Sequence, residues 1–245
     1  MRAIRQFADL VQLNVLMGRA EIWYFGVLQV AYTVSFVLGF GYLMRPISEL
    51  QALYVTTGIA TNMVVIVAVM HLSNALSQSK ADGRLDYLLT LPVSRESYLA
   101  AQVVYVALRA LPGVVLAVWF GAWHYGLSLS YDPIVILVAV LGVLSIAGVG
   151  IAIGVVSPQP QITNALTNLT MFYVLLFGPV LLPKEQLPAL LRHLSVAMPP
   201  TYTADAMRGA LTALPGTHLA RSLWVMCGFT VGSLALSAAV IRRRG

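Results

Sequence analysis

The chain has 245 residues, of which 59% are hydrophobic and only 10% charged, with a formal net charge of +6 and a mean hydropathy of +0.82. Soluble domains carry about 25% charged residues, so this composition excludes a water-soluble enzyme and specifies an integral membrane protein. The basic excess is dispersed around apolar runs with no nucleic-acid motif beside it, which excludes a nucleic-acid partner.

Residues 2–20 come first and are amphipathic, lacking the apolar core and small-residue cleavage site of a signal peptide. Arg2, Arg5, Asp9, Gln12 and Arg19 form a polar stripe, and Ile4, Phe7, Val11 and Val15 an apolar one. The spacing predicts an interfacial elbow helix over 1–21; a tethered surface tail has the same pattern. Apolar runs follow at about 22–44, 52–77, 98–121, 134–156, 162–182 and 219–241. Each meets the roughly 20 residues a helix needs to cross about 30 Å of hydrocarbon. The expectation is one all-α membrane domain over 1–245 with six spans and no separate soluble domain.

The first and second spans carry a helical stripe of Gln29, Tyr32, Phe36 and Phe40, and Asn62. A charged, amphipathic segment at 79–95 separates the second span from the third. Within it Gly83 breaks the preceding helix, Leu85, Leu88 and Leu89 give a short helix an apolar edge, and Pro92 ends it. Arg109 is the one basic residue deep in a span, where it snorkels, pairs with a neighbouring helix or meets an anionic headgroup. The fifth span places Asn164, Asn168, Met171 and Leu175 on one stripe. Residues 183–217 are too apolar for an ordinary loop and, with Pro183, Pro188, Pro199 and Pro200, too broken for a span. They read as a re-entrant hairpin, Thr203 capping its second helix with Asp205 in the first turn and Arg208 one turn on; a headgroup-level loop is the alternative. Cys227, the lone cysteine, reads as a small buried apolar residue inside the last span.

With six spans the termini share a side that holds nine Lys and Arg residues, against five on the other. That bias predicts both termini in the cytoplasm of a multi-pass inner-membrane protein. All nine acidic residues fall in loops or at span ends, so coupling to an ion gradient, which needs an intramembrane acid, is not expected. Metal and hydrolase motifs are absent from the sequence. The only lysines, Lys80 and Lys184, stand in no phosphate-cradling Gly-Lys-Ser/Thr loop, so any ATP drive comes from another polypeptide.

Two motifs carry a family resemblance. Asp82-Gly83-Arg84-Leu85-Asp86-Tyr87-Leu88-Leu89-Thr90-Leu91-Pro92 resembles the acidic-x-Gly-Thr-Leu-Glu-x-Leu-Leu-x-x-Pro signature of ABC-2 type export permeases, particularly the drug-resistance branch. Arg84 stands for the usual Thr and Asp86 for the usual Glu. Downstream, Leu187-Pro188 and Met198-Pro199-Pro200-Thr201-Tyr202-Thr203-Ala204-Asp205-Ala206-Met207-Arg208 resembles the family's segment before its final span, with Met198 for the common Asn and Pro200 for the common Leu.

The resemblance implies a permease subunit of an ATP-driven exporter, not itself an ATPase. Two cytoplasmic ATPase subunits bind MgATP, and this chain, as two copies or with a homologous permease, forms the path. Lys80, Asp82, Gly83, Arg84, Leu85, Asp86, Leu88 and Leu89 are implied to dock the ATPase. The aromatic and amide stripes are implied to surround the dimer axis and contact an amphipathic drug-like cargo. Pro199, Thr203, Asp205 and Arg208 would belong to an outer lid. Membrane lipids are the remaining partner, and no cofactor is expected in the chain itself. The alternatives are a lipid or glycan exporter, a non-transporting membrane anchor for a cytoplasmic complex, and a channel.

Overall fold

The computed structural model describes residues 10–16, 18–83, 95–130, 132–177, 180–181, 188–212 and 218–242. Among them all regular secondary structure is helical, as expected where no water is at hand to satisfy an open backbone. A helical stretch at 10–16 is followed by α1 (Arg19–Leu43), α2 (Glu49–Ala81), α3 (Arg95–Tyr125), α4 (Ile134–Val156), α5 (Pro160–Phe177), α6 (Ala189–Ser195), α7 (Pro199–Leu211) and α8 (Leu219–Arg242).

Five stretches are long and apolar enough to cross a membrane: Ile22–Leu43, Glu49–Ala81, Ser97–Tyr125, Ile134–Val156 and Leu219–Ser237. The sixth expected span, 162–182, begins as the amide-rich α5, which lies outside that set. Pro158 and Pro160 account for the break before it, since neither can continue α4 and the residue before Pro158, Ser157, is pushed into extended backbone at ψ 130°.

The centre of the bundle is α2. At 33 residues it is about 50 Å long by the 1.5 Å rise per residue, well beyond the expected run at 52–77. Its start is fixed by a reciprocal cap, in which Gln51 N–H donates to Ser48 Oγ (3.3 Å) and Ser48 N–H to Gln51 Oε1 (3.0 Å). Two of its threonines fold back on their own helix, Thr57 onto the Leu53 carbonyl (2.8 Å) and Thr61 onto that of Thr57 (2.9 Å), which satisfies those buried hydroxyls within the rod. Between Ile66 and His71 the α-helix gives way to a π-helical turn. The rod ends at Asp82, where Gly83 takes φ +69°, the left-handed cap that glycine adopts without steric cost. The expected break at Gly83 is therefore present.

Around α2 pack α3, α4, α5 and α7, with α1 against α2 and α3, and α8 against α4 and α7. Close approach comes from glycines on α4. A Cβ added at Gly154 would stand 2.7 Å from the Ser73 carbonyl oxygen on α2, and one at Gly148 would stand 2.6 Å from that of Ser233 on α8. Small residues let membrane helices touch backbone to backbone, and a larger side chain at either site forces the helices apart, at a cost of about 1–3 kcal/mol. The outermost helices, α1 and α8, turn large apolar side chains such as Trp23, Tyr42 and Trp224 outward, which suits a lipid-facing surface. Cys227 corrects one expectation: it is exposed on that outer face of α8, while Ser222 and Met226, five residues and one residue earlier, take the buried side.

Candidate coupling and cargo sites

The inner end of α2 is tied to the helices beside it. Lys80 Nζ donates to the carbonyls of Val155 (2.9 Å) and Ser157 (2.7 Å), placing an ammonium on the C-terminus of α4, where unpaired carbonyls and the helix dipole favour a cation by roughly 0.3–1 kcal/mol. One turn back, Thr163 Oγ1 of α5 donates to Ser77 Oγ (2.8 Å), and Ser73 Oγ donates to the Gly150 carbonyl (2.8 Å). Gln78 Nε2 reaches Asp82 Oδ1 (3.0 Å) along the exposed side. Of the residues assigned to ATPase docking, Lys80 thus turns inward to hold α4, while Asp82 and Gly83 cap the rod. Arg84, Leu85, Asp86, Leu88 and Leu89 lie outside the described residues.

The elbow reads differently in its described part. Leu10 and Asn14, four residues apart, are buried, and Val15 of the expected apolar stripe is exposed. Asn14 Oδ1 accepts from Gln102 Nε2 of α3 (3.0 Å), and Gly18 lies so close to Tyr105 that a Cβ would overlap its hydroxyl. The protein-facing stripe is therefore Leu10, Asn14 and Gly18. A polar residue belongs to it because α3 supplies its partner, which the spacing alone does not reveal.

The two expected cargo stripes do not form one wall within a single chain. Tyr32, Phe36 and Phe40 are half-buried against the core, with Tyr32 and Phe36 stacked at 4.2 Å between centroids. Gln29 Nε2 donates to the Arg109 carbonyl (3.2 Å). On α5, Asn164 and Asn168 face outward while Met171 packs on the core. Asn62 of α2 is buried, with its Nδ2 lacking a partner among the described residues. Arg109 follows the neighbouring-helix alternative. Its guanidinium sits 3.6 Å over the Phe25 ring of α1 and donates to Tyr105 Oη (3.2 Å), an arrangement favourable for a desolvated cation. Phe25 also meets the His71 ring edge-to-face, at 4.1 Å between centroids.

At the opposite end of α2, the expected hairpin region contains α6 and α7. Residues 183–187 and 213–217 of it lie outside the described residues. The turn between the two helices is stapled by Thr201 Oγ1 to the Ser195 carbonyl (2.8 Å) and Tyr202 Oη to that of Val196 (2.9 Å). Thr203 is not a cap. It lies within α7, donates back to the Pro199 carbonyl (3.2 Å) and packs on Gly142 of α4. The helix starts instead at Pro199 and Pro200, which fit the first turn because they lack the N–H that a cap would have to satisfy. Asp205 accordingly sits beyond the first turn.

Arg208 is the centre of this end and is almost wholly buried. It donates through Nη1 to Asp205 Oδ1 (3.1 Å), through Nε to Thr57 Oγ1 on α2 (3.2 Å) and through Nη2 to the Val180 carbonyl, with its Cζ 3.9 Å over the Tyr54 ring. Burial pulls its pKa below the ordinary arginine value, chiefly through desolvation, and Asp205 and Tyr54 oppose that shift. A sequence reading places Arg208 near Asp205 but has no signal for Thr57 or Tyr54, some 150 residues away.

The family model described as ABC-2 type transporter matches residues 10–212, which includes both ends of α2 and everything bound to them. No curated protein matches the chain.

Proposed function

Because the chain belongs to the ABC-2 type transporter family, and so is the membrane-spanning permease component that pairs with an ABC ATPase subunit, we propose that it exports an amphipathic small molecule across the cytoplasmic membrane. In this reading two ATPase subunits hold MgATP and dock on residues 79–95, and two copies, or one copy with a homologous permease, enclose the path. The observation that carries it is α2. One rod runs from Lys80, bonded to α4, to Thr57, bonded to Arg208 of α7. A push on the loop after Gly83 thereby reaches the carbonyl end of α4, the start of α5 and the hairpin at the far end, the mechanical link that alternating access requires.

The defining experiment uses the purified chain with and without its ATPase partner. Alone it is expected neither to bind nor to hydrolyse ATP; with the partner, hydrolysis appears and changes with cargo. Robust hydrolysis by the isolated chain would overturn the assignment. Orientation has its own test, resting on the nine-to-five Lys and Arg bias. Reporters fused after Arg244 and within Lys80–Arg95 should report the cytoplasm, and one within Lys184–Arg192 the outside. An external first loop would remove the docking role.

A further inference from the structure

Residues 10–16, the inner half of α2, the first half of α3 and the start of α5 enclose a cleft of about 710 Å³. That volume falls within the roughly 300–1,000 Å³ of small-molecule sites. Five amides among the described residues, Asn14, Asn74, Gln78, Gln102 and Asn164, and two phenols, Tyr98 and Tyr105, line it alongside Phe25 and Val106. Gln78, Gln102, Tyr98 and Tyr105 are already hydrogen-bonded, and the open capacity lies with the other three amides. Asn14 is 8% exposed and its Nδ2 has no partner among the described residues; Asn74 and Asn164 make no side-chain hydrogen bond there either. A buried amide without a partner is costly, so Asn14, with the open amides of Asn74 and Asn164 beside it, favours an occupant that both donates and accepts.

We propose that this cleft binds the hydroxyl-bearing head of an uncharged amphiphile, its apolar part against Phe25 and Val106. Amides and phenols each offer a donor and an acceptor, as does every hydroxyl of a polyol or sugar, whereas a phosphate head only accepts. Arg109, the one Lys or Arg among the described lining residues, is already engaged with Phe25 and Tyr105 and forms part of the wall. The α2 side of the cleft runs from His71 to Ser79, about 12 Å by helix rise, and ends beside Lys80. A molecule seated there touches the segment that holds α4. The same chemistry serves a cargo or a resident membrane lipid; assigning it to cargo rests on the permease reading, while binding itself does not.

The test is saturable binding of radiolabelled dodecyl glucoside to the chain, purified in a non-glycosidic detergent and placed in phosphatidylcholine nanodiscs. Unlabelled dodecyl phosphate is expected to compete at least tenfold less well than unlabelled dodecyl glucoside. Asn74→Leu should weaken binding about five- to tenfold, the loss of one hydrogen bond, and Ala75→Phe, which fills the cleft from a small lining residue, should abolish it. Asn74 has no internal hydrogen bond to lose, so it keeps the test open if Ala75→Phe fails to fold. Non-saturable uptake, equal competition by dodecyl phosphate, or unchanged affinity in Asn74→Leu would each overturn the site. In the complex with the ATPase, label released by MgATP identifies a cargo, and label retained through turnover identifies a resident lipid. Intact binding in a chain that activates no ATPase leaves the site standing and removes only the permease reading.

Discussion

Arg208→Leu should lower the unfolding temperature of the detergent-purified chain more than any other single substitution at the ends of α2. The guanidinium is 1% exposed and its partner Asp205 22% exposed, so the change removes the cation from a mostly desolvated carboxylate. It also strips the donors from Thr57 Oγ1 and the Val180 carbonyl. Breaking a buried pair from one side costs about 3–5 kcal/mol. Thr57→Val, which removes one acceptor and leaves the charge pair, should cost about 1 kcal/mol. Arg208→Lys should resemble the leucine variant more than the wild type, because one ammonium cannot reproduce a planar fork aimed in three directions. Unfolding of Arg208→Leu at the wild-type temperature would show that the α7–α2 link carries no stability.

The second large effect is on assembly. Asp86→Arg combined with Leu88→Asp should leave membrane insertion intact and lower affinity for the ATPase about thirtyfold. The reasoning starts from the leucine edge of residues 85–89 and the acidic rim beside it. A charge driven into an apolar groove costs roughly 1–3 kcal/mol, and a reversed rim charge adds like-charge repulsion; the middle of that range corresponds to the stated factor at 1.4 kcal/mol per tenfold. Arg243→Asp with Arg244→Asp, at the tail, should change affinity far less. Wild-type ATPase affinity together with wild-type transport in the loop variant would reduce residues 79–95 to a connector.

Hydropathy is a local property, so the apolar runs were legible from the chain alone, and so was the glycine stop at Gly83. The partners that give the polar residues their work were not. Lys80 meets carbonyls 75 and 77 positions away, and Arg208 meets a hydroxyl 151 positions away, distances over which spacing carries no information. The α1 stripe was visible as a pattern, but a helix apolar on every side does not state which face turns inward; the packing of Tyr32, Phe36 and Phe40 on the core settles that. Thr203 shows a local rule overtaken by a stronger one, since the Pro199–Pro200 pair begins α7 before a threonine cap is needed. The amide cleft has no signature in the sequence because its five amides come from four separate segments, each unremarkable alone.

The π-helical turn at Ile66–His71 has a geometric consequence for α2. Relative to an uninterrupted α-helix it accommodates one additional residue, and one residue is worth about 100° of rotation. The two halves of the rod are therefore out of phase, so the azimuth that Thr57 presents to Arg208 and the azimuth that Lys80 presents to α4 are set independently. Removing a single residue from that turn would restore a continuous screw and swing Lys80 about a quarter of the way round the axis, away from the Val155 and Ser157 carbonyls.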